Sequence, residues 1–349
     1  MKHQGIWGTG TALVVLALAA VFPLVFTNSF VTQIGVDTLI FVAAAAAWNI
    51  FSGFSGYISL GHAVFFGTGA YTVAIAARDW HVTNDSVFLL LPLGAVAGAL
   101  VAIPVGLISL LVRRHTYVVI TIAIFFVFQL MAFNFGFTGG STGILAPVLN
   151  WNASTYNNPF YYLTLIIAAL TTALAWLIRG SRFGLQLRAI RDDEDRARGL
   201  GVKTMRVKLS ALVVSAFITG AVGGIYFLFT VEVLPQFAFD PLFDLSVALM
   251  AFFGGLGTIA GPVLGAAIIE PAQQYLTSAN NNDYLSEIIL GVVFLAVILL
   301  VPRGVIPTVS EQVNKWRARR ASRSPAAAAP AQPVAVPQHA AGPGKEAGR

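Results

Sequence analysis

The chain has 349 residues, 57% of them apolar and only 10% charged, with a formal net charge of +6 and no cysteine. Soluble domains carry about 25% charged residues, so a chain this apolar, with mean hydropathy +0.77, lacks the polar surface of a soluble fold. Disorder is excluded except locally, as are disulfides and thiolate metal sites.

A bilayer-crossing helix needs about 20 mostly apolar residues. In chain order such runs fall at 8–26, 35–51, 58–77, 87–112, 117–135, 160–178, 209–231 and 285–301. The first follows Lys2 like the apolar part of a signal peptide, but no small-residue cleavage site follows it, so it reads as an uncleaved span. The stretch 245–274 is apolar but broken by Gly254, Gly255, Gly257, Gly261 and Pro262. It reads as two short antiparallel segments. Backbone freed from helix pairing at membrane depth must face protein or water, and such breaks often line transport pathways. A dinucleotide-binding turn is the other reading of this glycine run, but that turn needs a βαβ unit, and both flanks here are membrane segments. The predicted fold is therefore an all-α polytopic membrane protein of about ten membrane segments, including this short pair, over residues 1–310. Gly94 with Gly98, Gly220 with Gly224, and Gly257 with Gly261 and Gly265 are spaced four apart, which suits close helix packing in lipid.

The segment 179–208 is the longest polar loop. Residues 185–198 are good helix formers, and Phe183, Leu187 and Ile190 fall on one face. Arg188, Arg191, Asp192 and Asp195 lie mostly off it, and Gly199 and Gly201 suit a C-terminal stop. A short amphipathic helix on the cytoplasmic surface is predicted. It is either a docking device, with an apolar ridge for a partner's groove, or a helix resting on lipid headgroups.

The tail after 311 is first basic, then rich in Ala and Pro. It buries too little to offset its chain entropy and is predicted to be a disordered cytoplasmic tail over 311–349. Nine Lys or Arg lie in 179–208, eight in 303–349, two at Arg113 and Arg114, and one at Lys2. With ten segments and both termini inside, these 20 of 21 basic residues share the cytoplasmic side, as the positive-inside rule requires. They flank spans rather than form a basic stripe, so nucleic acid is not the partner. The partner is a lipid bilayer.

Three blocks carry a family resemblance. The first runs from Asn49 and Gly53 through Gly56-Tyr57-Ile58-Ser59-Leu60-Gly61-His62-Ala63 to Phe65-Phe66-Gly67-Thr68-Gly69-Ala70-Tyr71. The second holds Ser181-Arg182-Phe183-Gly184, Leu187-Arg188-Ala189-Ile190-Arg191-Asp192-Asp193-Glu194, Gly199-Leu200-Gly201-Val202, Lys208-Leu209 and Ser215-Ala216-Phe217. The third is Gly254-Gly255-Leu256-Gly257-Thr258-Ile259-Ala260-Gly261-Pro262 and its continuation to Ala266. In this order they resemble the LivM-type permeases, membrane subunits of branched-chain amino acid ABC importers, over about 35–303. The resemblance implies a second, LivH-like permease subunit, two cytoplasmic ATPases, an extracytoplasmic substrate-binding protein and a bacterial-type plasma (inner) membrane. It also implies that 185–201 contains the coupling helix seated in an ATPase groove, with Phe183, Leu187, Arg188, Ile190, Arg191, Asp192, Glu194 and Gly201 as its residues. Tyr57 departs from the family, where Gln is common, and Arg196 and Arg198 stand where small neutral residues are usual. Urea and other amide importers use similar permeases.

No P-loop is present, so ATP hydrolysis would belong to another chain. No cofactor, metal site or catalytic constellation is read from the sequence. An ion-coupled secondary transporter is the rival reading, since buried ionisable groups mark ion pathways; Glu270, Asp37 and Glu287 are its candidates. The polar and glycine residues read as lining a pathway are Asn49, Ser59, His62, Gln129, Asn134, Gly255, Gly257 and Glu270. Glu270 is alternatively a solvated residue at an outer helix end, and His62 a hydrogen-bonded packing residue. The outer loops 136–159 and 232–244, with Glu232, Asp240 and Asp244, are the expected docking surface for the binding protein.

Overall fold

A computed structural model of the chain describes residues 3–147, 149, 151–152 and 155–279, with a few positions beyond, at 288, 291–292, 295, 304–306, 308 and 311. Contacts divide the chain into residues 1–308 and 309–349. All but one of the described residues belong to the first unit. The expected span 285–301 lies largely outside the described residues, as does the Ala/Pro-rich tail.

The apolar runs become helices. They are α1 (His3–Val25), α2 (Ser29–Trp48), α3 (His62–Asp79), α4 (Leu91–Ser109), α5 (Arg114–Asn134), α6 (Asn157–Gly180) and α9 (Thr204–Thr230). A π turn, Asn49–Gly53, closes α2, and a 3-10 turn, Asn84–Leu90, leads into α4. The polar loop between α6 and α9 holds α7 (Arg182–Asp192) and α8 (Glu194–Gly199). Beyond α9 come α10 (Pro235–Ala238), α11 (Pro241–Gly254) and α12 (Ala260–Ala279). Strands β1 (Ile144–Leu145) and β2 (Glu232–Val233) pair antiparallel, two residues each.

Among the described residues, six segments are long and apolar enough to cross a bilayer: 29–53, 84–109, 114–134, 157–180, 204–230 and 235–254. The protein is an all-α polytopic membrane protein. The Gly-broken region is a pair, but an unequal one. α11 has 14 residues, or about 21 Å of helix, short of the ~30 Å hydrocarbon core. α12 has 20 residues, a full crossing length.

α9 lies at the centre, packed on α3 and α4, and α2 packs on α6, α9, α11 and α12. Small residues make the closest contacts possible. A Cβ on Gly69 would stand 2.0 Å from the Gly220 carbonyl oxygen, and one on Gly98 2.6 Å from that of Ala216. Both obstacles are backbone, which cannot swing aside. The glycine spacing in α4 and α9 therefore marks one interhelical seam.

Contacts also sort the loops into two ends. At one end, Asn157 Nδ2 donates to Ser29 O, Trp151 Nε1 to Asp85, Arg78 to Phe137 O, and β1 pairs with β2. At the other, Arg114 reaches Ile190 O and Arg191 O, and Arg191 reaches Gly53 O. The basic loop residues of 113–114 and 179–208 gather at this second end.

Candidate functional site

Two cap residues set the geometry of the polar loop. Ser181 Oγ accepts from Gly184 N at 3.2 Å and starts α7. Asp193, in an extended conformation, accepts from Arg196 N at 3.0 Å and starts α8. The single helix expected over 185–198 is thus two helices with a break at Asp193. The hydrogen bond from the Arg196 N–H holds the Asp193 carboxyl below its usual range. Gly201, at φ +86°, turns the chain toward α9 in open space.

The amphipathic face points opposite to the docking expectation. Leu187 and Ile190 are 0% exposed and Phe183 is half-buried, because α7 lies on α6 and α9 of its own chain. The ridge that was to fill a partner's groove fills this chain's core instead. The outward side carries Arg182, Leu185, Arg188 and Asp192, at helical spacing, and all four are exposed. Among the described residues Arg188 bonds only its own neighbourhood, at Gly184 O and Arg179 O.

Arg191 faces inward. Its Nη1 donates to Gly53 O at 2.9 Å. Arg114 Nη2 donates to Ile190 O and Arg191 O at 2.6 and 2.7 Å, satisfying carbonyls that the end of α7 leaves free. Glu194 joins a buried cluster. Lys208 Nζ donates to Glu194 Oε1 at 2.8 Å and to Tyr57 Oη at 3.1 Å, and Tyr57 Oη donates to Glu194 Oε2. Burial alone would raise the Glu194 carboxyl, but the bonds from Lys208 and Tyr57 outweigh it and hold the group below its usual range. Tyr57 and Lys208 were present in the family-like blocks yet unassigned, and Arg114 was read only as a loop charge. A cleft of about 460 Å³ between residues 110–115 and 192–195 adjoins this cluster.

Three of the six polar residues expected to line a pathway, Asn49, Gln129 and Asn134, have side chains bonded to backbone. Asn49 sits in the π turn, accepts from Gly257 N and donates to Thr258 O, both at 2.8 Å. Gly255 and Gly257, at φ +122° and +75°, form the turn between α11 and α12 that Asn49 grips. Trp48 Nε1 donates to Ser59 O at 2.8 Å, fixing the non-helical stretch before α3. Gln129 Nε2 donates to Phe239 O at 2.7 Å, where Phe239 also stacks on Tyr71 in mid-α3. Non-helical backbone at membrane depth must be satisfied by protein, and these side chains do so. Asn134 is exposed at the end of α5 and bonds its own Leu130 O.

His62 is buried. Ser215 Oγ donates to Ala47 O, so it accepts from His62 Nε2 at 2.8 Å. Glu270 is buried too, not solvated at a helix end. Gln274 Nε2 donates to its Oε1 at 3.0 Å and reaches Asp37 Oδ2 at 3.5 Å.

Of the docking candidates, Glu232 is exposed on β2, and Asp240 caps α11 through Leu242 N. Asp244 is a correction. It is 1% exposed, and its Oδ1 accepts from Ala63 N at 3.0 Å. Gly61 gives α3 no side-chain cap, so the Asp244 carboxyl from α11 supplies an acceptor for one of the N–H groups that a helix N-terminus leaves free. At 1% exposure Asp244 offers no surface to a soluble partner.

Comparison with known proteins gives concordant results. A family described as "Branched-chain amino acid transport system / permease component" matches residues 30–298. The high-affinity branched-chain amino acid transport system permease protein LivM of Escherichia coli (strain K12) is 25% identical over 334 residues, 87% of this chain and 75% of that protein. LivM of Salmonella typhimurium is 24% identical over 333 residues, 86% and 76% of the two chains. A probable branched-chain amino acid transport permease protein LivH of Methanocaldococcus jannaschii is 24% identical over 262 residues, 69% and 82%. No solved structure matches the chain.

Proposed function

The chain belongs to the family of branched-chain amino acid transport system permease components, and on that premise we propose how it works as the permease subunit of an ABC importer. It pairs with a second permease, two cytoplasmic ATPases act on the α7–α8 face, and an extracytoplasmic binding protein delivers a branched-chain amino acid at the opposite end. The chain is a multi-pass inner-membrane protein and a transporter subunit rather than an enzyme. Its ten crossings, with both termini cytoplasmic and a tail from about 311, are part of the proposal.

The observation that carries the reading is the two-sided build of α7. Its apolar ridge and Arg191 are tied into the membrane core, and Arg182, Leu185, Arg188 and Asp192 face outward at the basic end. A helix anchored on one side and bare on the other suits a partner that must push on the membrane domain. The test is reconstitution of the purified assembly in liposomes. ATP-dependent leucine uptake that requires the binding protein is the expected result. Uptake of urea or a short amide instead would reassign the substrate.

A second reading has one observation in its favour: Asp37 and Glu270, two buried acids in facing helices that share Gln274, suit an ion-coupled transporter. Uptake by this chain alone under an ion gradient would support it over the ATP-driven reading.

A further inference from the structure

The guanidinium of Arg191 occupies a seat with glycine walls. Its Nη1 donates to Gly53 O at 2.9 Å. A Cβ on Gly257 would stand 2.2 Å from that same nitrogen, and a Cβ on Gly56 2.9 Å from the Arg191 Cγ. Gly56 and Gly257 have φ of +74° and +75°, a region that L side chains rarely adopt. Three glycines from two separate segments thus leave room for one arginine that belongs to a third. The side chain passes between the end of α2 and the α11–α12 turn and touches both.

The same two segments are joined a second time. Asn49, four residues before Gly53, holds Gly257 N and Thr258 O with both ends of its amide. The intervening backbone, Asn49–Gly53, is a π turn, and such turns recur at functional sites because they loosen the regular helix ladder. Arg191 and Asn49 therefore form one clamp. Arg191 ties α7 to the π turn, and Asn49 ties the π turn to the glycine break between α11 and α12.

We propose that Arg191 and Asn49 are positioning residues of transport, the strut through which displacement of α7 moves the Gly255–Thr258 turn, and that Arg188 on the outer face of α7 is not part of it. This rests on the reading of α7 as the helix on which the ATPases act. It divides two arginines that share a helix and a charge into different duties. Arg188 meets the partner. Arg191 carries the movement inward.

The test uses the whole importer, purified from its own membranes and reconstituted in liposomes with its binding protein. Three quantities are read: ATPase retained on the permease, ATP hydrolysed, and amino acid taken up. Arg191→Met is expected to lower uptake per ATP hydrolysed by about two- to thirtyfold, the range of coupling effects along a connected network. Arg188→Met is expected to lower ATPase retention and leave the uptake-to-hydrolysis ratio of the assembled fraction near that of the wild type. Arg191→Lys, which keeps a donor for Gly53 O, is expected to recover part of the ratio. In the pair Asn49→Ala and Arg191→Met, the second substitution should add little to the first, since both cut one strut. An unchanged ratio in Arg191→Met, or fully additive losses in the double variant, overturns the proposal. If Arg191→Met fails to fold, Asn49→Ala decides, and a wild-type ratio with wild-type assembly in that variant overturns the proposal. Wild-type protein that retains no ATPase refutes instead the reading on which the proposal rests.

Discussion

The Tyr57–Glu194–Lys208 cluster predicts an asymmetry between its two charged members. The Lys208 side chain is 4% exposed and that of Glu194 16% exposed. Glu194→Gln leaves a buried ammonium with no counter-charge at 2.8 Å, held by neutral acceptors: an amide oxygen, the Tyr57 oxygen at 3.1 Å and the Tyr57 ring at 4.2 Å. Stripping one partner from a buried pair costs about 3–5 kcal/mol. Lys208→Met leaves the carboxylate nearer to water, still bonded to Tyr57 and with Arg198 at 3.5 Å, so its cost is closer to the ~1–3 kcal/mol of one lost charged hydrogen bond. The double variant should recover part of the loss, because no charge is then left alone. Equilibrium unfolding in detergent, followed by tryptophan fluorescence, reads all three. The same cluster fixes an acid limb. The Glu194 carboxyl sits below its ordinary value of 4.5 in the folded chain, so near that pH the unfolded chain binds more protons. Its contribution is complete above about pH 4.5 and is lost as pH falls through the folded value. That component should vanish in Glu194→Gln. Lys208→Met proving as costly as Glu194→Gln, or an acid limb unaltered by Glu194→Gln, would refute the reasoning.

Three further outcomes follow from the packing and the caps. Gly69→Ala forces a Cβ to within 2.0 Å of the Gly220 carbonyl and should cost about 1–3 kcal/mol of overpacking. Gly224→Ala meets the Val73 and Leu91 side chains instead and should cost less in the same unfolding assay. Asn49→Ala orphans Gly257 N and Thr258 O, at about 1–3 kcal/mol, and Asn49→Asp, which keeps the acceptor for Gly257 but sets a buried carboxyl oxygen against Thr258 O, should cost at least as much. Asp244→Ala removes the acceptor for Ala63 N and should lower stability by about 1–3 kcal/mol with binding-protein affinity unchanged. Glu232→Lys should do the reverse, as read by surface-immobilised binding kinetics.

The helices were legible because membrane spans must be long and apolar. Each of the seven runs from 8–26 to 209–231 became a helix within a few residues of its bounds. The direction of α7 was not legible. Phe183, Leu187 and Ile190 make one apolar stripe whether they enter this chain's core or a partner's groove, and periodicity cannot tell the two apart. The break at Asp193 hid behind good helix formers, since a cap shows only when the side chain has folded back on the Arg196 N–H. The partners of the polar residues inside the spans were not legible for a related reason. A polar residue in a span signals that something needs a hydrogen bond, and sequence suggests substrate. The partners here are backbone atoms far along the chain, such as Thr258 O, 209 positions from Asn49, and Phe239 O, 110 from Gln129. No pattern in side chains announces them.

The way the irregular segments are held argues where the molecule can move. The α3–α4–α9 seam is closed by glycines against backbone, so sliding there would require main chains to collide, and packed interiors resist that. The stretch before α3, the descent to Phe239 and the α11–α12 turn are held differently, each by the side chain of another helix: Trp48, Gln129 and Asn49. A side-chain tether can rotate or exchange its partner for water at the cost of about one hydrogen bond. Motion should therefore concentrate in these three segments while the seam stays rigid. Hydrogen exchange of the assembled importer would show it, with slow exchange in mid-α9 around Gly220 and faster exchange at 255–258. Asn49→Ala should speed exchange at 255–258 alone. Equal acceleration in α9 would mean that turn and seam open as one unit, and the division drawn here between a rigid core and tethered breaks would fail.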